Sequence, residues 1–522
     1  MSATHPQTAS HAKDFFHNVL WSWLGVLFSL VAGLFLSPFV IHHLGDERYG
    51  IWALVFSLVD YYGLVDFGFR SAVVKYAAHF RATGEMDRLE TLISTGLAYF
   101  SIAAIAVAGV SFAIARNVTR WFNVLPRDAD AFRFLTITVG IAFALGVIFS
   151  TCTAVLEGYQ RFDITSRIMI VNNAVRVGGC FAVIYLGLGL KAMGICVLGG
   201  QVIGYALTYR SLRAILPGRT FAPRKARLSS LRQMMSYGAH TFVANISLIV
   251  LNQDAPLLIG HFLSARLVAY YSFPLRLLSY SVDLVGRLGM VTGTKAAELT
   301  AYGDMKTIAR MAILVNRYCL MMFLPLTVYL AIFGRQLLKV WLNPAFAAES
   351  TPLLPVLGAG VVVAVAAQYN SSAILYGLAK HAALARAVLV EAILSVAGLC
   401  YALPRYGIMG AAYLTAVLMI VSRGIVVPYA LSRYLGIAFG RYMWGIYGKA
   451  LVIAAPISIV TWLVNHAIGE PASWAVVLGG GTAMAACYYA LVFFRGVEPE
   501  HRALLLDWAR ARLRNLTLPS VT

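Results

Sequence analysis

Residues 39–78 read FVIHHLGDERYGIWALVFSLVDYYGLVDFGFRSAVVKYAA. An apolar run ends at a short polar turn, LGDERYG, and a second apolar run follows at once. Asp60, Asp66 and Arg70 interrupt this second run. Two such runs joined by a turn predict a pair of membrane-spanning helices, the second of which carries ionisable groups.

The whole chain has the same apolar character. Of its 522 residues, 60% are hydrophobic and only 12% are charged, and the mean hydropathy is +0.75. A soluble protein would be about 25% charged, so a soluble multidomain enzyme is a poor fit. The formal net charge is +20, and the basic residues cluster between apolar runs. This clustering favours loops at a cytoplasmic membrane face over a nucleic-acid-binding surface.

Fourteen apolar runs are long enough to cross a bilayer as helices, which need about 20 residues each. Continuous runs favour helices over barrel strands, because barrel strands alternate in polarity. The sequence therefore predicts an all-α integral membrane protein. The predicted spans are 16–42, 49–76, 91–115, 132–156, 166–187, 191–210, 233–256, 266–294, 308–332, 351–376, 383–402, 407–431, 446–466 and 473–494.

The distribution of Lys and Arg predicts the orientation. Residues 210–232 contain seven basic residues and no acid, and the C-terminal tail is also rich in arginine. Both segments, and both termini, are expected in the cytoplasm of a bacterial inner-membrane protein. The expected organisation is an N-terminal lobe 1–215, a basic linker 216–232, a C-terminal lobe 233–436, two additional spans in 437–496 and a basic amphipathic tail 497–522.

The two lobes share a sequence pattern. SPFVIHHLG (37–45) aligns with APLLIGHFL (255–263), and VDFGFR (65–70) aligns with VDLVGR (282–287). The alignment places Asp66 opposite Asp283 and Arg70 opposite Arg287. Internal symmetry of this kind is typical of transporters whose halves move around a central cavity.

The repeated acid and base have two interpretations. Residues four apart on one helix face form an intrahelical salt bridge, which neutralises both charges. Alternatively, the two lobes close a cytoplasmic gate through the pairs Asp66–Arg287 and Asp283–Arg70. Charged groups within a bilayer are costly unless they face protein or water, so we expect both pairs beside a wet cavity.

Embedded arginines outnumber embedded acids. A cavity with surplus guanidinium groups attracts an anionic head group and suits phosphate oxygens. The candidates for binding a substrate diphosphate are Arg70, Arg176, Arg276, Arg287, Arg317 and Arg423. For each arginine alone, snorkelling to the interface or pairing with an acid is the alternative. Asp60 is the candidate carboxylate for coupling transport to an H⁺ or Na⁺ gradient.

Other functional signals are lacking in the sequence. The six cysteines stand singly in apolar runs without metal-ligand or redox spacing. We expect no metal, no cofactor, no catalytic residue and no cleaved signal peptide. No phosphate-binding G-x4-GK[ST] motif is present, which disfavours direct use of ATP.

Residues 39–78 resemble the bacterial polysaccharide transporters, the oligosaccharide flippases of the multidrug/oligosaccharidyl-lipid/polysaccharide (MOP) superfamily. The similarity rests on Leu44-Gly45, Tyr49-Gly50 and the Asp66-x-Gly68 step, and it extends to residues 156–176 and 252–270. It implies two pseudo-symmetric lobes in a V, with spans 1, 2, 7 and 8 lining a central cavity. The second lobe departs from the leucine-glycine turn, since it has Leu263-Ser264.

The resemblance also implies a function. The expected activity is alternating access that moves a polyprenyl-diphosphate-linked oligosaccharide to the outer leaflet for O-antigen, capsule or exopolysaccharide synthesis. Expected partners are this anionic lipid-linked glycan, the phospholipid bilayer and a polysaccharide polymerase or other assembly proteins, but no nucleic acid. The alternatives are a drug/cation antiporter of the same superfamily, a glycan polymerase or ligase, and a scaffold that transports nothing.

Overall fold

The computed structural model describes the backbone of residues 28–29, 31–66, 68–380, 382–469 and 473–517, with some side chains in these ranges left undescribed. Every regular element in these ranges is helical. In chain order the helices are α1 (Val31–Leu44), α2 (Asp46–Asp60), α3 (Phe69–Thr83), α4 (Met86–Trp121), α5 (Ala129–Gly158), α6 (Phe162–Tyr185), α7 (Gly189–Ile215), α8 (Leu228–Phe262), α9 (Ala265–Ala301), α10 (Met305–Trp341), α11 (Pro344–Ser350), α12 (Leu353–Ala367), α13 (Tyr369–Gly377), α14 (Ala382–Leu418), α15 (Val427–Tyr434), α16 (Phe439–Ile468), α17 (Trp474–Leu491) and α18 (Pro499–Thr517).

The helices have the length and surface of membrane spans. Among the described residues, nine are long and apolar enough to cross a bilayer, or ten if the bent pair Asp46–Asp66 and Phe69–Thr83 counts as one. Large apolar side chains such as Ile102, Ile105 and Val452 are exposed on them. Exposed apolar surface of this extent would be unfavourable in water, so it indicates contact with lipid. The predicted all-α membrane fold is confirmed.

The predicted number of fourteen spans is consistent with this count but is not established by it. One continuous helical stretch, Leu384–Tyr434, contains two predicted spans. Gly407 interrupts it with φ 58°, a left-handed conformation that glycine adopts without a steric penalty. About half of the predicted span 16–42 lies outside the described residues.

Packing divides the chain into two units. The first is Met1–Ser272 with Val396–Ile408, and the second is Phe273–Ser395 with Met409–Thr522. The helix α8, which begins the predicted C-terminal lobe, therefore packs with the first unit. The predicted lobe boundaries describe the sequence repeat, and they stay a prediction.

The first unit is built on α4, α5 and α7, with α3 packed across α4 and α5. Small residues let the helices approach closely. A Cβ atom on Gly96 would lie 2.8 Å from the Thr151 hydroxyl, and one on Gly140 would lie 2.2 Å from that of Ser111. Close approach of this kind increases the van der Waals packing between helices. Such packing drives helix association inside a membrane, because lipid is as apolar as the protein and supplies no hydrophobic driving force.

The second unit packs α10 against α12, α16 and α17. Its core contains paired polar side chains. The Asn316 amide donates hydrogen bonds to Ser371 and Tyr442, both at 3.0 Å, and Gln336 donates to Asn465 at 3.0 Å. Such bonds fix the mutual register of three helices, because breaking them would leave polar groups unsatisfied in an apolar core.

The tail predicted to be amphipathic forms the helix α18. Leu504, Leu505 and Leu506 are exposed on it, together with Arg510. Its location at a membrane surface stays a prediction.

Candidate functional site

The segment between α2 and α3 is not one continuous helix. A 3₁₀ helix covers Tyr61–Asp66, and Gly68 has φ 72° immediately before α3 starts. The Asp66 carboxylate accepts a hydrogen bond from the backbone N–H of Arg70 at 3.1 Å. Asp66 thus satisfies a free N–H in the first turn of α3, in the manner of a capping residue. The expectation that Asp66 and Arg70 share one continuous helix face is wrong, because the helix breaks between them.

The Arg70 side chain pairs with an acid that the sequence reasoning did not consider. Its Nη2 lies 2.5 Å from Oε1 of Glu157, near the end of α5. Glu157 is 87 residues away in the chain, so no local pattern indicates the contact. The side chains of Asp283 and Arg287 lie outside the described residues. The cross-lobe gate therefore stays a prediction.

Asp60 is exposed at the end of α2. Its Oδ2 accepts a hydrogen bond from the Gln253 amide of α8 at 2.6 Å. Span 2 and span 7, which belong to different halves of the predicted repeat, thus meet through this polar pair. The coupling role of Asp60 stays a prediction.

Six charged side chains surround a cavity of about 430 Å³ at the turn between α1 and α2. We call them the polar turn cluster; they are Asp46, Glu47, Arg48, Arg127, Asp128 and Arg266. Arg48 pairs with the buried Asp128 at 2.8 Å, and Arg266 lies 3.7 Å from Asp46. The sequence reasoning missed this cluster, because its members come from three separate turns.

Backbone contacts hold the same turns together. The N–H of Asn123 donates to the carbonyl of Gly260 at 3.0 Å, and its side-chain amide donates to the carbonyl of His261 at 2.9 Å. The Tyr270 hydroxyl donates to Asp46 at 2.8 Å. Main-chain and side-chain hydrogen bonds thereby fix the turn between α8 and α9 to the two other turns of the cluster.

The remaining candidate arginines have different surroundings. Arg317 is mostly buried, and it donates to the carbonyl of Gly445 at 2.6 Å and to Glu498 at 2.7 Å. Arg423 is only 5% exposed, and its Nε donates to Glu391 at 2.9 Å. Both guanidinium groups are neutralised by an acid within their own unit.

Arg176 and Arg276 are not in the ion pairs described above. Arg176 donates to Asn173 on the same helix at 3.0 Å. Arg276 is exposed, and its guanidinium lies 5.1 Å from the ring centre of Tyr280, a cation–π contact. Among the described residues, no carboxylate lies within salt-bridge distance of Arg276. Among those residues, too, no group of three His, Cys, Asp or Glu is arranged to hold a metal ion.

The sequence matches the family model described as "Polysaccharide biosynthesis protein" over residues 15–292, which is more than half of the chain. The chain belongs to this family. It is 25% identical over 504 residues to the "Uncharacterized membrane protein EpsK" of Bacillus subtilis, and the match covers 92% of this chain and 95% of EpsK. It is 21% identical over 401 residues to the "Putative O-antigen transporter" of Shigella flexneri, covering 76% of this chain and 92% of that protein.

Comparison with solved structures shows the fold of this chain. The lipid II flippase MurJ, in an inward closed conformation, superposes with a TM-score of 0.70 at 13% identity, covering 92% of this chain and 99% of MurJ. An inward-facing multidrug MATE transporter of the MOP superfamily gives a TM-score of 0.67 at 13% identity, covering 79% of this chain and 94% of that chain. The chain is therefore a multi-pass membrane protein with the MOP transporter fold, as the resemblance in residues 39–78 predicts.

Proposed function

We propose that this family member is a flippase for a polyprenyl-diphosphate-linked oligosaccharide. It moves the glycan from the cytoplasmic to the outer leaflet of the bacterial inner membrane by alternating access, and the glycan then enters O-antigen, capsule or exopolysaccharide synthesis. Membership of the polysaccharide biosynthesis family and the similarity to proteins named as an O-antigen transporter and a lipid II flippase support this proposal.

The environment of Arg276 is the observation that favours an anionic substrate. It lies eleven residues after the start of α9, which is about 16 Å along the helix. Within a bilayer, an exposed guanidinium cannot face acyl chains without a cost of at least about 2.5 kcal/mol. We infer that Arg276 faces a polar space, where its planar group suits a diphosphate.

The proposed orientation in the membrane rests on the distribution of Lys and Arg. Both termini are assigned to the cytoplasm, because the basic linker 216–232 and the arginine-rich tail have the excess of Lys and Arg that is typical of cytoplasmic segments. An H⁺ or Na⁺ gradient is the proposed energy source, and Asp60 is the proposed coupling group. A polysaccharide polymerase that uses the delivered glycan is the proposed functional partner.

The test replaces Arg276 in cells that depend on this chain for surface polysaccharide. Arg276→Ala should lower surface polysaccharide about tenfold or more and should cause lipid-linked oligosaccharide to accumulate in the inner leaflet, since charge-assisted hydrogen bonds contribute about 1.5 to 3 kcal/mol. Arg276→Lys should restore part of the activity, because it keeps the charge but loses the bidentate geometry.

Arg405→Ala is the matched control. Arg405 is also exposed, and its guanidinium lies 4.0 Å from the ring centre of Tyr401, four residues away. In contrast to Arg276, it lies in the turn region near Gly407. It should leave surface polysaccharide unchanged. If Arg276→Ala behaves like Arg405→Ala, the anionic-substrate proposal fails.

A further inference from the structure

A groove of about 400 Å³ runs along the surface of the second unit. One wall is the first part of α14, from Arg386 to Leu394. The other wall is formed by Leu418 and by a π-helical segment, Met419–Val426, that directly follows α14. The groove is independent of Arg276 and of the polar turn cluster.

The groove has a polar floor inside apolar walls. Glu391 and Ser422 line it and are only 3% and 8% exposed. Oε1 of Glu391 accepts the hydrogen bond from Arg423, but Oε2 of Glu391 and Oγ of Ser422 have no hydrogen-bond partner among the described residues. Each such buried polar atom costs about 1 to 3 kcal/mol, so two of them on residues that line one groove indicate a ligand that satisfies both.

The chemistry of this floor selects a hydroxyl group. Glu391 is already neutralised by Arg423, so an additional cation would meet a positive guanidinium beside it. A hydroxyl can donate to the Glu391 carboxylate and accept from the Ser422 hydroxyl at the same time. The groove is also about a dozen times larger than the ~30 Å³ that one water occupies in the liquid, so a single water does not fill it.

The walls and the rim define the rest of the ligand. Val390, Leu394, Val421 and Val426 are exposed along the groove, as expected for a surface covered by an acyl chain. The exposed Arg386 lies five residues before Glu391, about 7.5 Å nearer the start of α14. Its guanidinium supplies a positive charge at the rim for a phosphate.

We propose that this groove binds a phospholipid with a glycerol head group, namely phosphatidylglycerol. Its phosphate contacts Arg386, a head-group hydroxyl bridges Glu391 and Ser422, and an acyl chain lies over the apolar walls. The π-helical segment makes the site possible, because its wider turn brings Ser422 and Arg423 inward from a helix whose neighbouring residues Val421 and Ile425 remain exposed.

The test is lipid binding by the purified full-length protein in nanodiscs, followed by native mass spectrometry without any glycan. The wild-type protein should retain phosphatidylglycerol about tenfold better than phosphatidylcholine of the same chain length. It should also retain phosphatidylglycerol better than phosphatidic acid, which has the phosphate but no glycerol hydroxyls. Ser422→Ala should reduce this second preference about fivefold, as expected for the loss of one hydrogen bond.

Two matched controls separate the site from general effects. Ser395→Ala removes a buried serine of α14 that does not line the groove, and Arg433→Ala removes an exposed arginine outside it. Neither should change lipid selectivity, whereas Arg386→Ala should weaken retention of both anionic lipids. Equal retention of all three lipids by the wild-type protein, or unchanged selectivity in Ser422→Ala, would overturn the proposal and leave ordered water as the occupant of the floor.

Discussion

A Cβ atom placed on Gly50 would lie 1.7 Å from the carbonyl oxygen of Ala265, so α2 touches the start of α9 with backbone against backbone. This contact explains the Tyr49-Gly50 pair of the family pattern in steric terms. We expect Gly50→Ala to destabilise the protein by about 1 to 3 kcal/mol, because neither backbone can move away without breaking the bonds of Asn123. Thermal unfolding in detergent measures the loss.

The matched control is Gly109→Ala. Gly109 is also a helical glycine, in α4, but a Cβ atom there would meet nothing within 4 Å. It should stabilise the protein slightly, by about 0.5 to 1 kcal/mol, because alanine is the better helix former. Equal effects of the two substitutions would show that the Gly50 contact is not tight.

The ion pair of Arg70 with Glu157 predicts a charge-swap result. Arg70 is about half exposed, so losing the pair should change stability by less than about 1 kcal/mol. Arg70→Glu should impair transport, and Glu157→Arg in the same chain should restore part of it. The measurement is surface polysaccharide at equal protein level.

The predicted gate is tested in the same assay by combining Arg70→Asp with Asp283→Arg. Rescue by both swaps means that Arg70 changes partner between two states of the transport cycle. Rescue by Glu157→Arg alone would contradict the cross-lobe gate and would support an ion pair within the first unit.

The positions of the helices could be predicted from the sequence, because a bilayer leaves helix as the only structure for a long apolar run. The predicted span 132–156 lies within α5 (Ala129–Gly158), and 166–187 overlaps α6 (Phe162–Tyr185). The helix α4 extends well beyond the predicted span 91–115, since its polar ends continue outside the apolar window.

The partners of charged side chains could not be predicted in the same way. Arg48 and Asp128 are 80 residues apart, and no periodicity connects the turns that carry them. The i to i+4 spacing of Asp66 and Arg70 indicated a shared helix face, but that rule holds only where the helix is continuous. Gly68 was the available signal for a break, because glycine permits the left-handed conformation found there.

The start of α18 is fixed by an acid with two basic partners. Glu498 lies 2.7 Å from Arg317 and 3.5 Å from Lys449. Burial raises the pKa of the Glu498 carboxyl, but Lys449 and Arg317 lower it more, so its pKa lies below the ordinary value of 4.5. The stabilisation is therefore present at neutral pH, and it is lost as the pH falls below 4.5 and through the folded pKa.

We expect Glu498→Gln to release α18 at neutral pH and to increase proteolytic cleavage of the tail several-fold. Asp507→Asn is the control, because the pair of Asp507 with Arg510 is exposed on the same helix and should contribute little. Cleavage of the wild-type protein at pH 4 should approach that of Glu498→Gln at pH 7. Equal cleavage of all three proteins at pH 7 would show that Glu498 does not hold the tail.

The buried pair of Glu391 and Arg423 separates a structural role from the predicted role in substrate binding. Arg423→Leu alone leaves a buried carboxylate without its guanidinium, and it should cost about 3 to 5 kcal/mol in thermal unfolding. Glu391→Leu combined with Arg423→Leu removes both charges, and stability should return close to the wild-type value.

If Arg423 serves only to neutralise Glu391, this double variant also keeps its transport activity. If the guanidinium contacts the diphosphate in another state of the cycle, the double variant is stable but inactive, and surface polysaccharide distinguishes the two. We expect retained activity, because the Glu391 carboxylate already occupies Arg423 and the side chain is almost completely buried.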